Sequence, residues 1–523
     1  MNKGLKPICL LIFLMPFLWG CTSSDSNLSH SKENREITKT LRIMIRDWDE
    51  EFPTGQTLTD NWTTRYSQKN FGDPNNIILE YVPIEQSNYY DELNIVMASG
   101  NPPDIIFANR RAFAINYAVQ GMLHDLTEYY NATGENLKTA LGDSHIRKFG
   151  MVHDELNFIP AVGGTTPIAN NWIRKDWLDH LGLPVPTTVE QWYQTLKTFK
   201  EKDPGGIGTE NVIPWAMYDL THPTQYETFM AAFIEDMSEE DYYAYSYMND
   251  FLKPGFEEGL YFLNKMYNEG LISPEFALDQ DEKQFEKDII SGNAGFFVTN
   301  ALDPLSTDSD SIYNVLKDNN QDAEIIPINP FQNSKGQYPT PQYQPKGTHI
   351  MVPKVSDVPD LAMMYLNWMA EPETSKKLYW GIEGLTYEAI DDFPVKLLTN
   401  KENEHIVLRE LILYDGPPVQ DKKQLWNVVS MGKVDYDLSI KALEIASTNP
   451  FYREPFFPEP LVKEAKYNTL MRDAITKLVT NAITCCPSDF QQVFESGVAD
   501  IMKNGGSQII DEKREVYRES IMK

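Results

Sequence analysis

The chain has 523 residues, a formal net charge of −30 and an aromatic content of 12%. That length supports two or three domains with sizeable cores. The excess of acid argues against nucleic acid or anionic lipid as the main partner. Of the four cysteines, Cys9 and Cys21 lie near the N-terminus, and only Cys485 and Cys486 remain in the body. Adjacent α-carbons sit ~3.8 Å apart, below the usual disulfide range, so two free thiols are expected. Neither a disulfide framework nor a Cys-based zinc site is available.

Lys3 and Lys6 precede an apolar run, Ile8 to Trp19, interrupted by Pro16. This reads as a secretory h-region, too short for a stable membrane span. It ends in Leu18-Trp19-Gly20-Cys21, which resembles a bacterial lipobox, although Trp19 departs from the small or β-branched residue usual there. The resemblance implies a signal peptide over 1–20 and lipidation at Cys21. Residues 21–40 are polar and read as a flexible tether. The diacylglyceryl group implied by the resemblance would supply two acyl chains, and stable anchoring takes two signals.

Leu41 to Ile45 alternates as a first strand and Ile77 to Val82 as a second, with a helix between them over Asn61 to Lys69. Tyr89 to Ala98 reads as a helix, Ser99 to Pro103 breaks it, and Asp104 to Phe107 is a short apolar strand. Strands alternating with helices argue for an α/β lobe. Ligands of open α/β sheets sit beyond the carboxyl ends of strands. That rule singles out Trp48 and Asp49 after the first strand, and the position of Asn109, Arg110 and Arg111 after the third agrees with it. Asn157 to Gly164 is a strand running into a Gly-rich bend.

Asn171 to Pro204 reads as two helices joined by a stiff turn. Trp172, Ile173, Trp177, Leu178 and Leu181 lie at roughly helical spacing. Gly182 fits a C-cap, and Pro184 and Pro186 prevent continuation. Thr187 or Thr188 caps the second helix, with Glu190 or Gln191 completing a capping box. Phe256 to Gly270 and a segment around Phe285 and Ile289 repeat at helical spacing, and Gly295 to Val298 is a strand. A linker over Gln337 to Lys346 precedes Gly347 to Val352, and Leu361 to Met369 is an amphipathic helix.

The spelling W-I-R-K-D-W-L-D-x-L-G-L-P-V-P-T-T (Trp172 to Thr188) resembles a known family. So do A-S-G-N-P-P-D-I-I (Ala98 to Ile106), G-M-L-H-D-L-T-E-Y (Gly121 to Tyr129), Y-W-G-I-E-G-L-T-Y-E (Tyr379 to Glu388) and the C-terminal G-G-S-Q-I-I-D-E-K-R-E-V-Y (Gly505 to Tyr517). The chain is similar to extracellular solute-binding protein family 1, the lipoprotein component of carbohydrate ABC importers, in its Gram-positive lipoprotein branch. The resemblance implies a periplasmic-binding-protein-like type II fold, with two α/β lobes joined by hinge crossings and a ligand cleft between them. On that template the first lobe holds 41–160 and 297–345. The second, mostly helical lobe holds 161–296 and 346–523. The implied role is delivery of a saccharide, foremost an oligosaccharide, to ABC transporter permease subunits by a monomer anchored through lipid to the extracellular face of the membrane. No nucleic acid partner and no cofactor are expected.

A saccharide cleft combines flat aromatic rings with fixed donors and acceptors. The candidates are Trp48, Asp49, Asn109, Arg110, Trp172, Arg174, Trp215 with its neighbour Tyr218, Asn300, Trp380 and Glu383, while His349 reads as a hydrogen-bonded structural residue and Trp177 as core. Many relatives carry a calcium loop after the second helix of the pair. Here Asp203-Pro204-Gly205-Gly206-Ile207-Gly208 has lost the side-chain oxygens such a site needs, so no metal is expected. No H-E-x-x-H, G-x-S-x-G, Walker A or G-x-G-x-x-G is present, and no enzyme is expected. Two alternatives stay open. One is a surface-anchored glycoside hydrolase built on paired carboxylates such as Glu239 and Asp241. The other is a sugar receptor for a sensor kinase.

Overall fold

The computed structural model describes residues 38–48, 52–162, 169–218, 220, 223–306, 311–342, 347–390, 393–396, 408–413, 430, 433–452, 455–457 and 459–522. The proposed signal peptide, nearly all of the tether, Cys21 and Asp49 lie outside them. From Lys39 onward the chain builds two α/β lobes.

In the first lobe, β1 (Lys39–Asp47) is buried along both faces, while β2 (Ile77–Glu85) alternates buried and open positions. They run parallel, with Leu41 opposite Leu79 and Ile43 opposite Tyr81. β3 (Ile106–Ala108) follows a parallel bridge from Ile43 to Ile105 on the other side of β1. β4 (Met151–Val152) and β5 (Glu155–Leu156) form a short hairpin, and β6 (Phe158–Pro160) follows it. Continuous burial of β1 and β3 is what helices packed on both faces of a sheet produce.

The second lobe is centred on a four-stranded sheet of β7 (Ala169–Arg174), β8 (Ile213–Ala216), β9 (Ala294–Asn300) and β10 (Ile325–Ile328), in the order β10-β7-β9-β8. Successive side chains on a strand point to opposite faces. Trp172 and Phe297 accordingly pack on one side with Ile289, Leu305 and Leu443. Ile173 and Phe296 pack on the other with Trp177, Trp192, Phe199 and Trp215.

This corrects the reading of Trp172 and Ile173 as helical. They belong to β7, and the helix begins only at Lys175, running to Leu181. A short buried strand that feeds directly into a helix has no period of its own, so the helical spacing downstream absorbed it. Gly182 and Thr188 cap as read from the residues, but the expected capping box is not closed, because Gln191 returns to Thr187 rather than to the cap residue Thr188. Gly182 closes the first helix at φ +65°, a conformation that glycine adopts without a Cβ penalty. Thr188 Oγ1 accepts from the Gln191 N–H (3.2 Å) at the start of the helix Val189–Lys202, and Gln191 Oε1 accepts from the Thr187 N–H (3.0 Å).

β11 (Thr340–Gln342) leaves the second lobe, and β12 (His349–Met351) inserts antiparallel between β3 and β6 of the first. The helices Pro359–Met369 and Pro372–Trp380 and the turn Arg409–Leu411 join the same first core. β13 (Tyr387–Ile390) pairs with β14 (Phe393–Lys396), and β15 (Pro450–Tyr452) pairs in parallel with β11. The lobe boundaries drawn from the sequence are therefore corrected. β9 and β10, which reach into or lie within 297–345, complete the second sheet, and 349–380 packs into the core of the first lobe rather than the second. β3 and β12 of the first lobe and β10 of the second are buried along their whole length, so such strands share an apolar composition that carries no mark of which sheet they join.

Three long helices end the chain: Val462–Thr484, Phe490–Ile501 and Ser507–Met522. The first packs against Phe256–Asn268 of the second lobe and against Arg111–Val119 of the first. It ties the lobes together.

Candidate ligand-binding site

Trp48, Asn109 and Arg110 come together where β1 and β3 end. Arg46, near the end of β1, is only 3% exposed and pairs with Glu410. Its guanidinium carbon lies 4.8 Å from the Trp48 ring centroid, and that of Arg409 lies 4.6 Å from the same ring. Arg46 Nη2 also donates to Asn109 Oδ1 (3.4 Å), which accepts a second bond from Thr348 Oγ1 (3.1 Å). Asn109 itself is exposed. Arg110 lies over the Tyr90 ring at 4.3 Å, and its backbone N–H donates to the Tyr90 hydroxyl (3.0 Å). Burial, and then the like charge of Arg472, hold the Arg110 guanidinium below its usual range.

Arg472 leads to a cavity of about 440 Å³. Its Nη1 donates to the Tyr247 hydroxyl (3.1 Å), and Tyr247 lines the cavity. The walls come from the helices Thr224–Met230 and Glu239–Ala244, the 3-10 turn Tyr247–Leu252, Pro341 of β11, Phe451 of β15 and Ile475 of the long helix. Tyr226, Phe251 and Phe256 are buried and form the apolar floor, while Tyr242, Tyr247 and Phe451 stand half-buried at the walls. Carboxylates are set among these rings: Glu227, Glu235, Asp236, Glu239 and Asp250. Lys253 pairs with Asp250 at 2.6 Å, and Lys335 pairs with Asp236 at 2.6 Å. The Tyr242 hydroxyl is pushed up to about 12 by burial and by the Asp250 carboxylate, so it stays a neutral donor at ordinary pH. Apolar rings beside fixed donors and acceptors, in a volume of this size, form a surface suited to a polyhydroxylated ligand.

Other expected residues lie elsewhere. Trp172 and Trp215 are fully buried in the second lobe, Trp172 stacked with Phe297 and Trp215 edge-on to Trp192 at 4.8 Å. Arg174 is 2% exposed; it forms a two-pronged pair with Asp176 (2.8 and 2.6 Å) and donates to the Gly292 carbonyl (3.0 Å). These three hold the fold and face no cleft, because β7 and β8 are covered on both sides. Trp177 is core, as read from the sequence. His349 is fully buried between β3 and β6, with Nδ1 3.0 Å from the Ala108 carbonyl, and Tyr218 packs on Phe285. Asn300 is exposed at the end of β9 and donates to Asp303 (2.6 Å). Trp380 and Glu383 form a separate surface with Tyr387, whose hydroxyl donates to Glu383 (3.3 Å). None of these three lines the cavity.

The cavity residues were missed in the sequence, although a signal was present. Glu239 to Tyr247, E-E-D-Y-Y-A-Y-S-Y, sets three acids directly before four tyrosines. The carboxylates weighed there for hydrolysis are engaged otherwise. Asp241 accepts from the Asp241-facing Ser238 hydroxyl (2.8 Å) and from Arg514 (2.9 Å), and Glu239 accepts from the Tyr517 hydroxyl (3.2 Å). In the loop after Lys202, both Asp203 oxygens accept backbone N–H groups, from Ile207 (2.9 Å) and Gly208 (2.8 Å). Among the described residues no group of three or more His, Cys, Asp or Glu side chains is disposed to hold a metal ion, and no helix is long and apolar enough to cross a membrane.

The sequence model of a family described as "Bacterial extracellular solute-binding protein" matches residues 57–376, more than half of the chain. Lipoprotein LipO of Bacillus subtilis (strain 168) is 25% identical, over 96% of this chain and 96% of its own length. Among solved structures, the alginate-binding protein AlgQ2 superposes with a TM-score of 0.67 at 19% identity, covering 92% of this chain and 98% of that one. The S. pneumoniae ABC-transporter substrate-binding protein FusA in complex with kestose superposes at 0.65 with 18% identity, covering 92% and 99%. These superpositions establish a common fold of two α/β lobes.

Proposed function

We propose, from the premise that this chain belongs to the family of bacterial extracellular solute-binding proteins, that it is a lipid-anchored receptor which captures a saccharide and hands it to an ABC transporter permease. It binds and does not catalyse. Cys21 carries the lipid, and residues 21–40 hold the body off the membrane surface. The ligand sits at the lobe junction, in the cavity walled by Tyr242, Tyr247 and Phe451, with Trp48, Asn109 and Arg110 facing it from the first lobe.

The observation that carries this reading is the cavity itself: rings for sugar C–H faces and carboxylates for sugar hydroxyls, beside the crossing of β11 into the first lobe. Two related folds are named for alginate and kestose, which supports a saccharide as the ligand class. Closure follows from differential affinity, since a ligand shifts the open and closed states only by binding them unequally.

Calorimetry of the mature protein against a broad oligosaccharide panel tests the reading. At least one saccharide should bind, with heat lost in Tyr242→Ala. Binding of a peptide or metal chelate with no response to any saccharide would overturn it. Incorporation of a palmitate analogue, abolished by Cys21→Ala, tests the anchor separately.

A further inference from the structure

We propose that Lys513, buried in the last helix, Ser507–Met522, is a positioning residue for the saccharide site, holding the cavity residue Tyr247 in the left-handed backbone conformation that presents its ring to the ligand. This rests on the reading of the cavity as the saccharide site. It adds a residue that touches no ligand and yet sets affinity, and it gives the C-terminal helix a part in binding.

Tyr247 has φ +53°, a region that a bulky side chain enters only when its surroundings compel it. It lines the cavity and starts the turn Tyr247–Leu252. Its backbone is held from the residue before it. Ser246 is 1% exposed, and its hydroxyl donates to the Tyr243 carbonyl (2.7 Å). The Ser246 carbonyl accepts from Lys513 Nζ (2.8 Å) and from the Asn249 N–H (3.4 Å). That oxygen shares a rigid peptide plane with the Tyr247 N–H, so fixing it fixes the plane about which Tyr247 turns. At the other end of the residue, the Tyr247 hydroxyl accepts from Arg472 Nη1 (3.1 Å).

Lys513 is itself fixed. It is fully buried and pairs with Glu464 of the long helix Val462–Thr484 at 2.6 Å. Beside it, the Glu512 carboxylate accepts from the Lys463 N–H (2.7 Å) and the Glu464 N–H (3.0 Å), which sets the register of the two helices. Arg472 lies on the same long helix. That helix therefore governs the Tyr247 hydroxyl directly and the Tyr247 backbone through Lys513. A bond from an ammonium to a carbonyl is charge-assisted and stronger than a neutral one. With the ammonium removed, the Tyr247 backbone relaxes toward ordinary angles, and only the molecules that keep the ring in place bind well. Apparent affinity falls with that fraction.

The test uses the full mature chain with Lys513→Met and with Lys513→Met/Glu464→Gln, in which no buried carboxylate is left without its partner. Calorimetry against fructo-, malto-, manno- and xylo-oligosaccharides, chitosan oligomers, oligogalacturonates and alginate oligomers supplies the ligand. Its dissociation constant should rise about fivefold or more in either variant, through the lost competent fraction. The same substitution placed on Tyr247→Ala should add less than about twofold, because the residue it acts through is gone. Arg518→Gln cuts a bond from the same helix to Glu240 (2.6 Å) and should leave affinity within about twofold. In protein labelled with 3-fluorotyrosine, the Tyr247 fluorine resonance, assigned by Tyr247→Phe, should shift or broaden in Lys513→Met without any ligand. Unchanged affinity in the Lys513 variants, full additivity with Tyr247→Ala, or an equal loss in Arg518→Gln would each overturn the positioning role. Binding of no saccharide would overturn the reading of the cavity instead. The fluorine resonance then decides the positioning role by itself, upheld by a shift and overturned by none.

Discussion

Arg46 and Glu410 stand 364 positions apart in the chain and share an ion pair in the first lobe, with side chains 3% and 1% exposed. The same guanidinium lies beside the rings of Trp48 and Tyr89 and reaches Asn109. A segment from late in the chain thereby helps set the wall that faces the proposed ligand. Removing one partner of a buried pair leaves an uncompensated charge, which costs about 3–5 kcal/mol. Glu410→Ala should lower the denaturant midpoint by a corresponding amount without a change in m-value. A loss below about 1 kcal/mol would refute a buried structural pair.

Trp172→Ala tests the reassignment of that residue from cleft to core. Trp172 is fully buried on β7 against Phe297. Deletion of a buried tryptophan costs about 3–5 kcal/mol. Thermal unfolding should shift sharply down, whereas the dissociation constant of the folded fraction for its ligand should stay within about twofold. A large affinity loss at unchanged stability would return Trp172 to the cleft.

Gly295 marks a close approach. A Cβ added there would lie 2.6 Å from the Phe199 ring and 2.9 Å from Trp177. Both rings are buried, so they have little room to yield. Overpacking of this kind costs about 1–3 kcal/mol, and Gly295→Ala should show that loss in chemical denaturation. Gly336→Ala, where φ is +71° but no atom lies within 4 Å, separates the clash from backbone strain alone.

Asp241 supplies a pH dependence with a definite sign. The Ser238 hydroxyl first, and then Arg514, hold its carboxyl below the usual value of 3.8. A depressed folded pKa means that the unfolded chain binds the proton more readily. The contribution is present above pH 3.8 and is lost as pH falls below it. Arg514 lies on the last helix, Ser507–Met522, so that helix should loosen first in acid. Hydrogen exchange at its amides should quicken below pH 3.8 in the native chain, and Asp241→Asn should show the quickening already at neutral pH with a flatter acid response.

How much was legible before folding depended on the range of the signal. Thr188, Gln191 and Gly182 cap helices through neighbours within four residues, so their roles could be read locally. Trp48, Asn109 and Arg110 follow strand ends, and that position nominated them, together with the family resemblance of the loop that holds Asn109 and Arg110. Trp172 and Arg174 were nominated by residue type beside a crossing and Trp215 as a loop residue after Pro214, but their exposure is set by partners on β9 and beyond, which no local pattern reports. Tyr242 and Tyr247 reach the proposed site only because β11, β15 and the long helix Val462–Thr484 converge on them.

The sequence by itself determined the alternation of strands and helices in the first lobe as far as β3, the caps at Gly182 and Thr188, the family spelling and the loss of oxygen ligands after Asp203. These follow from backbone preferences and side-chain chemistry over a few residues. Only the tertiary structure decided which lobe receives each strand, since strands buried on both faces look alike whichever sheet they join. It also decided which aromatic rings fill the core and which line a cavity, because burial is a property of the partners that long-range contacts bring together.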